Sequence, residues 1–242
     1  MVVDRTQKDN FNNHIIIIAK NHQGFYELNA IMAEANKSCF YYKPRIDIEL
    51  IQRLTPENFF VTSACVGGIL RPHDTSKELF EAVYGHFGKN FFLEVQNHPY
   101  DIQIQHNMNM LRLRLQYGIQ LIHANDSHYI YPEQAQDRVK FLNGKGMNYG
   151  DEDSFVLDFP DYDTVVQRYK EQGLLSDSQI EEAMRNTLIF DECEELYFDK
   201  EVKMPTIYPE FTQEQKDQEL AKHLNEKWQN EREHIDKKRW KD

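Results

Sequence analysis

Residues 120–128 read Gln120-Leu121-Ile122-His123-Ala124-Asn125-Asp126-Ser127-His128, a short apolar run that ends on an acid and a histidine two positions apart. A run of this length bounded by polar residues fits a buried strand. Side chains alternate across a strand, so this spacing directs Asp126 and His128 to one face. An oxygen donor beside a nitrogen donor at the mouth of an α/β fold is a sensible pair of ligands for a divalent metal. The same two residues also suit a helix-capping aspartate next to an ordinary surface histidine. The pair alone does not choose between these readings.

Outward from this stretch, strand and helix patterns alternate. Residues 14–20 are a β-branched run, and residues 24–36 have helical periodicity. A short helix over 47–54 opens on Asp47 as its cap, after Pro44. A strand over 59–63, a helix over 76–87 and a strand over 91–96 follow. The helix over 101–117 carries Ile102, Met108, Leu111 and Leu115 on its apolar side and stops at Gly118. Residues 120–124 form the next strand, and a helix over 132–142 has Pro132 in its first turn. Such alternation implies βα units around a parallel sheet or barrel. Sites in these folds favour the loops after strand C-termini, where Asp126 and His128 fall.

Past Gly150 the character changes. Asp151, Glu152, Asp153 and Asp158 form an acidic loop, and residues 161–170 and 178–195 read as two amphipathic helices. Residues 212–240 are strongly charged, with Leu220, Leu224, Trp228 and Ile235 at near-helical spacing, a pattern that predicts an exposed helix with a narrow apolar stripe.

Composition narrows the function classes. With 242 residues the chain suits one or two domains and a real core. Its formal charge of −12 disfavours tight autonomous binding to nucleic acid, which needs clustered Lys and Arg. Contact with DNA is therefore expected only indirectly, through another polypeptide. The cysteines Cys39, Cys65 and Cys193 are odd in number and widely spaced, which argues for a reducing compartment. Apolar runs are too short to cross a bilayer and no signal peptide opens the chain. A cytoplasmic protein is the expectation.

Several longer segments resemble one family. From Phe91 the chain reads FFLEVQNH, then a helical stretch ending LRLQYGIQ, then LIHANDSHYIYPEQAQDR. Upstream lie HIIIIAKNHQGFYELNAIMAEA from His14, FYYKPRID from Phe40 and VTSACVGGIL from Val61; downstream come DYDTVVQRY, IEEAMRNTLIFDECEEL and MPTIYP from Met204. In order and spacing these are similar to the C-terminal part of the PHP (polymerase and histidinol phosphatase) domain of the bacterial DNA polymerase III alpha subunit. The resemblance spans about residues 14–209. The His-x-His motif that opens PHP domains, and the palm carboxylates of the polymerase, have no counterpart here.

The resemblance implies a fold and a site. The fold is an incomplete PHP-type (β/α) barrel of the α/β class with a C-terminal helical extension. Residues 1–205 would form a partial PHP domain lacking its N-terminal strands, and 206–242 an extension toward the polymerase palm. PHP sites hold metal ions and hydrolyse phosphoesters. The metal ligands the resemblance carries over are His14, Cys65, Asp126 and His128, for zinc or manganese at partial occupancy. Cys65 also reads as a small buried residue under a Gly-Gly turn. His14 sits uncomfortably at the start of its strand. Glu94 is a further ligand or a residue that holds one, and His98 reads as a loop histidine. Asp161 and Asp163 imitate polymerase palm carboxylates, but their place marks them as the acidic start of a helix.

Three functions compete. One is a split or truncated PHP module that supports DNA replication by assembling with complementary polymerase III alpha segments or replication proteins. The second is a metal-dependent phosphoesterase, a 3′–5′ exonuclease or pyrophosphatase. The third is an interaction protein without catalysis. Polymerase activity is not expected from the chain alone.

Overall fold

The computed structural model describes residues 1–8, 11–147, 156–198, 200–201 and 208–239, and side chains of the last helix through Arg232. The chain divides into two compact units, Met1–Leu196 and Tyr197–Asp242. The boundary expected at 205/206, the Met204 motif, Asp151, Glu152, Asp153 and the Ile235 side chain lie outside what is described.

The first unit is built on a four-stranded sheet of order β1(Ile16–Ala19), β2(Phe59–Thr62), β3(Phe91–Val95) and β4(Leu121–His123). Its helices are α1(His22–Lys37), α2(Ile48–Gln52), α3(Ser76–Phe87), α4(Asp101–Tyr117), α5(Ala135–Gly144), α6(Tyr162–Gln172) and α7(Asp177–Arg185). This is a mixed α/β fold with an open sheet; no closed barrel is formed by the described residues. Phe59, Val61, Phe91, Leu93, Val95 and Leu121 pack into the main core with Leu79, Val83 and Met110. The other face carries Phe60, Phe92 and Ile122, against which Ile18, Ile189 and Phe190 pack.

Strand directions correct the expectation of a wholly parallel sheet. β2, β3 and β4 run parallel, with Val61 opposite Phe91 and Glu94 opposite Ile122. β1 is antiparallel to β2, Ile16 opposite Thr62 and Ala19 opposite Phe59. The N-terminal end of β1 therefore lies beside the C-terminal end of β2. A His at the start of its strand consequently joins the strand ends where sites form, and this removes the objection to His14.

Local signals account for most helix ends. The Asp47 side chain accepts from Leu50 N at 3.1 Å and caps α2. Asp161 accepts from Thr164 N at 2.8 Å and caps α6, so it serves a helix and not a palm. Gly118 stops α4 at φ 70°, in the left-handed region that favours glycine.

Two helices depart from their sequence pattern. α4 buries Gln103, His106, Asn107, Met110 and Leu113, while Ile102, Met108 and Leu115 of the expected inward stripe are exposed, Leu115 at 88%. The buried side is polar because β3 ends beneath it. Asn107 Nδ2 donates to Gln96 O at 2.8 Å and to Gln172 Oε1 at 3.1 Å, and its Oδ1 accepts from Gln103 Nε2 at 2.9 Å. Backbone groups that cannot stay unpaired in a core outweigh the apolar pattern. The helix expected over 178–195 stops at Arg185 and continues as a 3-10 segment, Asn186–Glu192. Asn186 Nδ2 turns instead to Leu121 O at 2.6 Å, and Thr187 Oγ1 donates to Met184 O at 2.7 Å. These side chains compete with the helical ladder.

In the second unit, α8(Gln213–Arg239) is a charged helix with Leu220, Leu224 and Trp228 exposed, as the sequence pattern predicts. No helix among the described residues is long and apolar enough to cross a membrane.

Candidate functional site

Three parallel strand ends and the start of β1 converge on one side of the sheet. After β2 the backbone passes through Ala64 at φ 58°, a conformation that costs a non-glycine residue about 1 kcal/mol or more. The turn is held from within. Thr62 Oγ1 accepts from Ala64 N at 3.2 Å and donates to Glu94 Oε2 at 2.7 Å. Gly68 N donates to Cys65 O at 2.7 Å and closes the loop.

This turn presents Cys65 to His14. His14 N donates to Gly67 O at 2.9 Å, and His14 Nδ1 lies 3.6 Å from Cys65 Sγ. Two ligands of one tetrahedral zinc, with bonds of about 2.3 Å to sulfur and about 2.0 Å to nitrogen, stand about 3.6 Å apart. The pair has the spacing of a half-built zinc site. Burial pushes the Cys65 thiol up, and the Glu94 and Asp126 charges push it the same way, against the backbone hydrogen bond from Gly67. Metal binding must therefore displace a proton.

The second pair is Asp126 and His128, which lie in the loop after β4 and not on the strand itself. Strand alternation is thus not what sets their geometry. The His128 Nδ1–H donates to Asp126 O at 2.9 Å, an arrangement that leaves Nε2 with its lone pair for a metal. The carboxylate oxygen Asp126 Oδ1 is 3.7 Å from the same Nδ1. The loop is anchored to a later segment. His128 N donates to Leu157 O at 2.8 Å and Ser127 Oγ to Asp158 O at 2.7 Å. Asp158 is buried and paired bidentately with Arg168 of α6 at 2.8 Å for each bond.

Glu94, 2% exposed, interacts electrostatically with Cys65 of one pair and Asp126 of the other. It accepts from Thr62 and from Gln96 Nε2 at 2.9 Å. Burial raises its pKa, and the Asp126 charge adds to that shift. Glu94 supports the Cys65 turn and lies within electrostatic reach of both pairs. Among the described residues no group of three or more His, Cys, Asp or Glu side chains is gathered tightly enough to hold a metal ion. The donors fit a metal as two pairs, not as one finished cage.

Sequence reasoning missed the buried histidines. His98 follows β3 as a loop residue, but it is 2% exposed and stacks on Tyr100 with centroids 5.4 Å apart. His123, on β4, is 8% exposed. The Tyr169 hydroxyl donates to Val95 O at 2.9 Å, so it must accept from His123 Nδ1 at 2.8 Å. That fixes His123 as the Nδ1–H tautomer. Its Nε2 has no hydrogen-bond partner among the described residues, though the Asn125 side chain is near enough to favour protonation slightly. Nothing in the local pattern marks His123, because Tyr169 comes from α6, 46 residues away.

Comparison with known proteins shows what part of the chain is similar to. Residues 2–98 match the family model described as the PHP domain. That segment carries PHP-type sequence. It is 30% identical over 194 residues to the DNA polymerase III subunit alpha of Borreliella burgdorferi, a match that covers 75% of this chain and 16% of that protein. The subunit of Aquifex aeolicus is 33% identical over 131 residues, covering 52% of this chain and 11% of its own length. That of Saccharopolyspora erythraea is 29% identical over 196 residues, covering 77% and 16%. The PHP segment thus contains His14, Cys65, Glu94 and His98, while Asp126 and His128 lie beyond residue 98. The chain spans roughly a sixth or less of the curated relatives it matches.

Proposed function

We propose that this chain is a partial PHP module that supports DNA replication by assembling with other segments of a DNA polymerase III alpha subunit in the cytoplasm. In this reading residues 1–205 form the module and 206–242 an extension toward the polymerase palm. The observation that supports it is the pairing of His14 with Cys65 at the strand ends of a PHP-type segment. His14, Cys65, Asp126 and His128 would hold zinc or manganese, with Glu94 supporting the turn. A bound divalent metal supplies Lewis-acid polarisation of a phosphoester and a water of lowered pKa. The chain's own residues do the rest. Cys65 gives up its proton, the His128 Nδ1–H stays on Asp126 O, and Thr62 with Glu94 keeps the turn in place. Two half-built pairs favour completion by donors from a partner polypeptide over a stand-alone phosphoesterase.

The test is co-expression with the alpha subunit of one of these relatives from which the matched region has been removed. A stable complex that extends a primer is expected, with no extension by this chain alone. Failure to form any complex would overturn the assembly reading.

A further inference from the structure

One side chain at the end of β3 stands outside the polar network beneath α4. Gln172 Nε2 donates to Gln96 O at 3.1 Å and to His98 O at 2.6 Å, and Gln96 Nε2 donates to Glu94 Oε1 at 2.9 Å. Asn107 bonds to both Gln96 and Gln172. Asn97, in the middle of these partners, is 3% exposed. Its carboxamide makes no hydrogen bond among the described residues, and Nδ2 is buried without a partner. A buried amide left unpaired weakens a fold. No protein group fixes which end of this amide points where, so a half-turn exchanges donor for acceptor.

Asn97 lines a cavity of about 240 Å³ between the loop after β3, α4 and α6. Pro99, Ile104 and Val156 give it apolar walls. Its remaining polar groups differ in what they have left to offer. Gln172 is already saturated. Arg168 spends its guanidinium on Asp158 in two bonds of 2.8 Å each. Glu171 is exposed, accepts from Gln167 Nε2 at 3.0 Å, and forms no ion pair among the described residues. A ligand therefore meets one free amide, one carboxylate without a counter-charge, and hydrocarbon.

These groups exclude most ligand classes. An anion finds no uncommitted cation, so a phosphate is refused. Drug-sized ligands need about 300–1,000 Å³, which leaves room here for a ring system and little more. The amide offers a donor and an acceptor side by side, the combination that pairs with the amino group and adjacent ring nitrogen of adenine. Apolar walls suit the faces of such a base, and Glu171 is an acceptor for the second amino hydrogen. We propose that this cavity binds the adenine base of a nucleoside, with Asn97 reading its hydrogen-bonding edge and the sugar left outside. A neutral base needs none of the positive charge that phosphate contacts demand, in keeping with a formal charge of −12. None of the candidate metal ligands takes part, so failure of this site and failure of the polymerase assembly are separate results.

The test is a titration of the full chain with adenosine, followed by amide and side-chain carboxamide nuclear magnetic resonance. A ligand of this size should bind with a Kd on the order of 1 mM, and the Asn97 carboxamide signals should shift with the backbone amides around Ile104. Purine riboside, which lacks the amino group, should bind about tenfold more weakly or worse, because Asn97 is then left half-paired. Asn97→Leu keeps the size and removes the unpaired amide, so it should fold at least as well as the wild type and lose adenosine binding by about tenfold or more. Ile104→Phe narrows the cavity from α4 and should also abolish binding. If neither variant folds, the two nucleosides on the wild-type chain decide alone. A wild-type chain that shows no shift with adenosine at about 10 mM, well above the expected Kd, holds only water there and overturns the proposal. Equal binding of the two nucleosides, or binding that persists in a folded Asn97→Leu variant, overturns it as well.

Discussion

Stability is expected to fall steeply as pH drops from about 6.5 toward 4, with the loss reaching several kcal/mol. Burial lowers the pKa of both His106 and His123 to about 4. A histidine depressed in the folded state binds fewer protons there than in the unfolded chain across that window. Its stabilisation is fully present above the unfolded value and is lost as pH falls through 6.5 to the folded value. A shift of this size corresponds to about 3 kcal/mol per histidine, against a typical total of about 5–15 kcal/mol. His98 is depressed too, chiefly by burial, and adds in the same direction. Glu94 is raised, so it favours the fold in its protonated form and partly offsets the loss at the acid end. Urea unfolding from pH 8 to pH 4 checks this. The slope should approach two protons, and His123→Gln should flatten it by about one. Stability that stays level across the window would show that these histidines are not buried neutral.

The largest single-residue effect is expected at Gly68. A Cβ there would lie 2.1 Å from Ser63 O and 2.8 Å from Cys65 O. Both are backbone atoms of the turn that carries Cys65, so relief means pulling the turn off β2 and away from His14. Gly68→Ala should cost about 3 kcal/mol or more, at the upper end for overpacking. Two neighbours act as controls. At Gly67 a Cβ would meet only Cys65 Sγ, at 3.8 Å, and Gly67→Ala should be mild. Gly85 lies within α3 with nothing within 4 Å, and Gly85→Ala should stabilise by roughly 0.5–1 kcal/mol through helix propensity. Denaturant midpoints of the three variants give the order; a tolerated Gly68→Ala would mean the turn is not built as described.

Much of the fold was legible in local pattern. The helices at 76–87 and 101–117 form over the residues the periodicity marks, because caps and stops are local signals: Gly118 for one, Asp47 and Asp161 for others. Direction and depth were not legible. Whether β1 runs with or against β2 depends on a partner 40 to 46 residues away in sequence. The inward face of α4 is set by the carbonyl of Gln96 and the amide of Gln172, which no window of α4 contains. The candidate donors were visible as residue types, but their grouping was not. Cys65 meets His14 across 51 residues, and the Asp126 loop is fixed by Leu157 and Asp158. Tyr169, which sets the tautomer of His123, gave no signal at all.

The most direct test of the candidate site is a cobalt titration of the full chain. Cobalt(II) reports a thiolate ligand by near-ultraviolet charge transfer, and it takes nitrogen and sulfur donors much as zinc does. A band that grows with pH as the Cys65 thiol loses its proton is expected, abolished by Cys65→Ser, weakened by His14→Ala, and unchanged by Cys39→Ser or Cys193→Ser. A wild-type chain that shows no band, or a band that survives in Cys65→Ser, would contradict a metal held between His14 and Cys65.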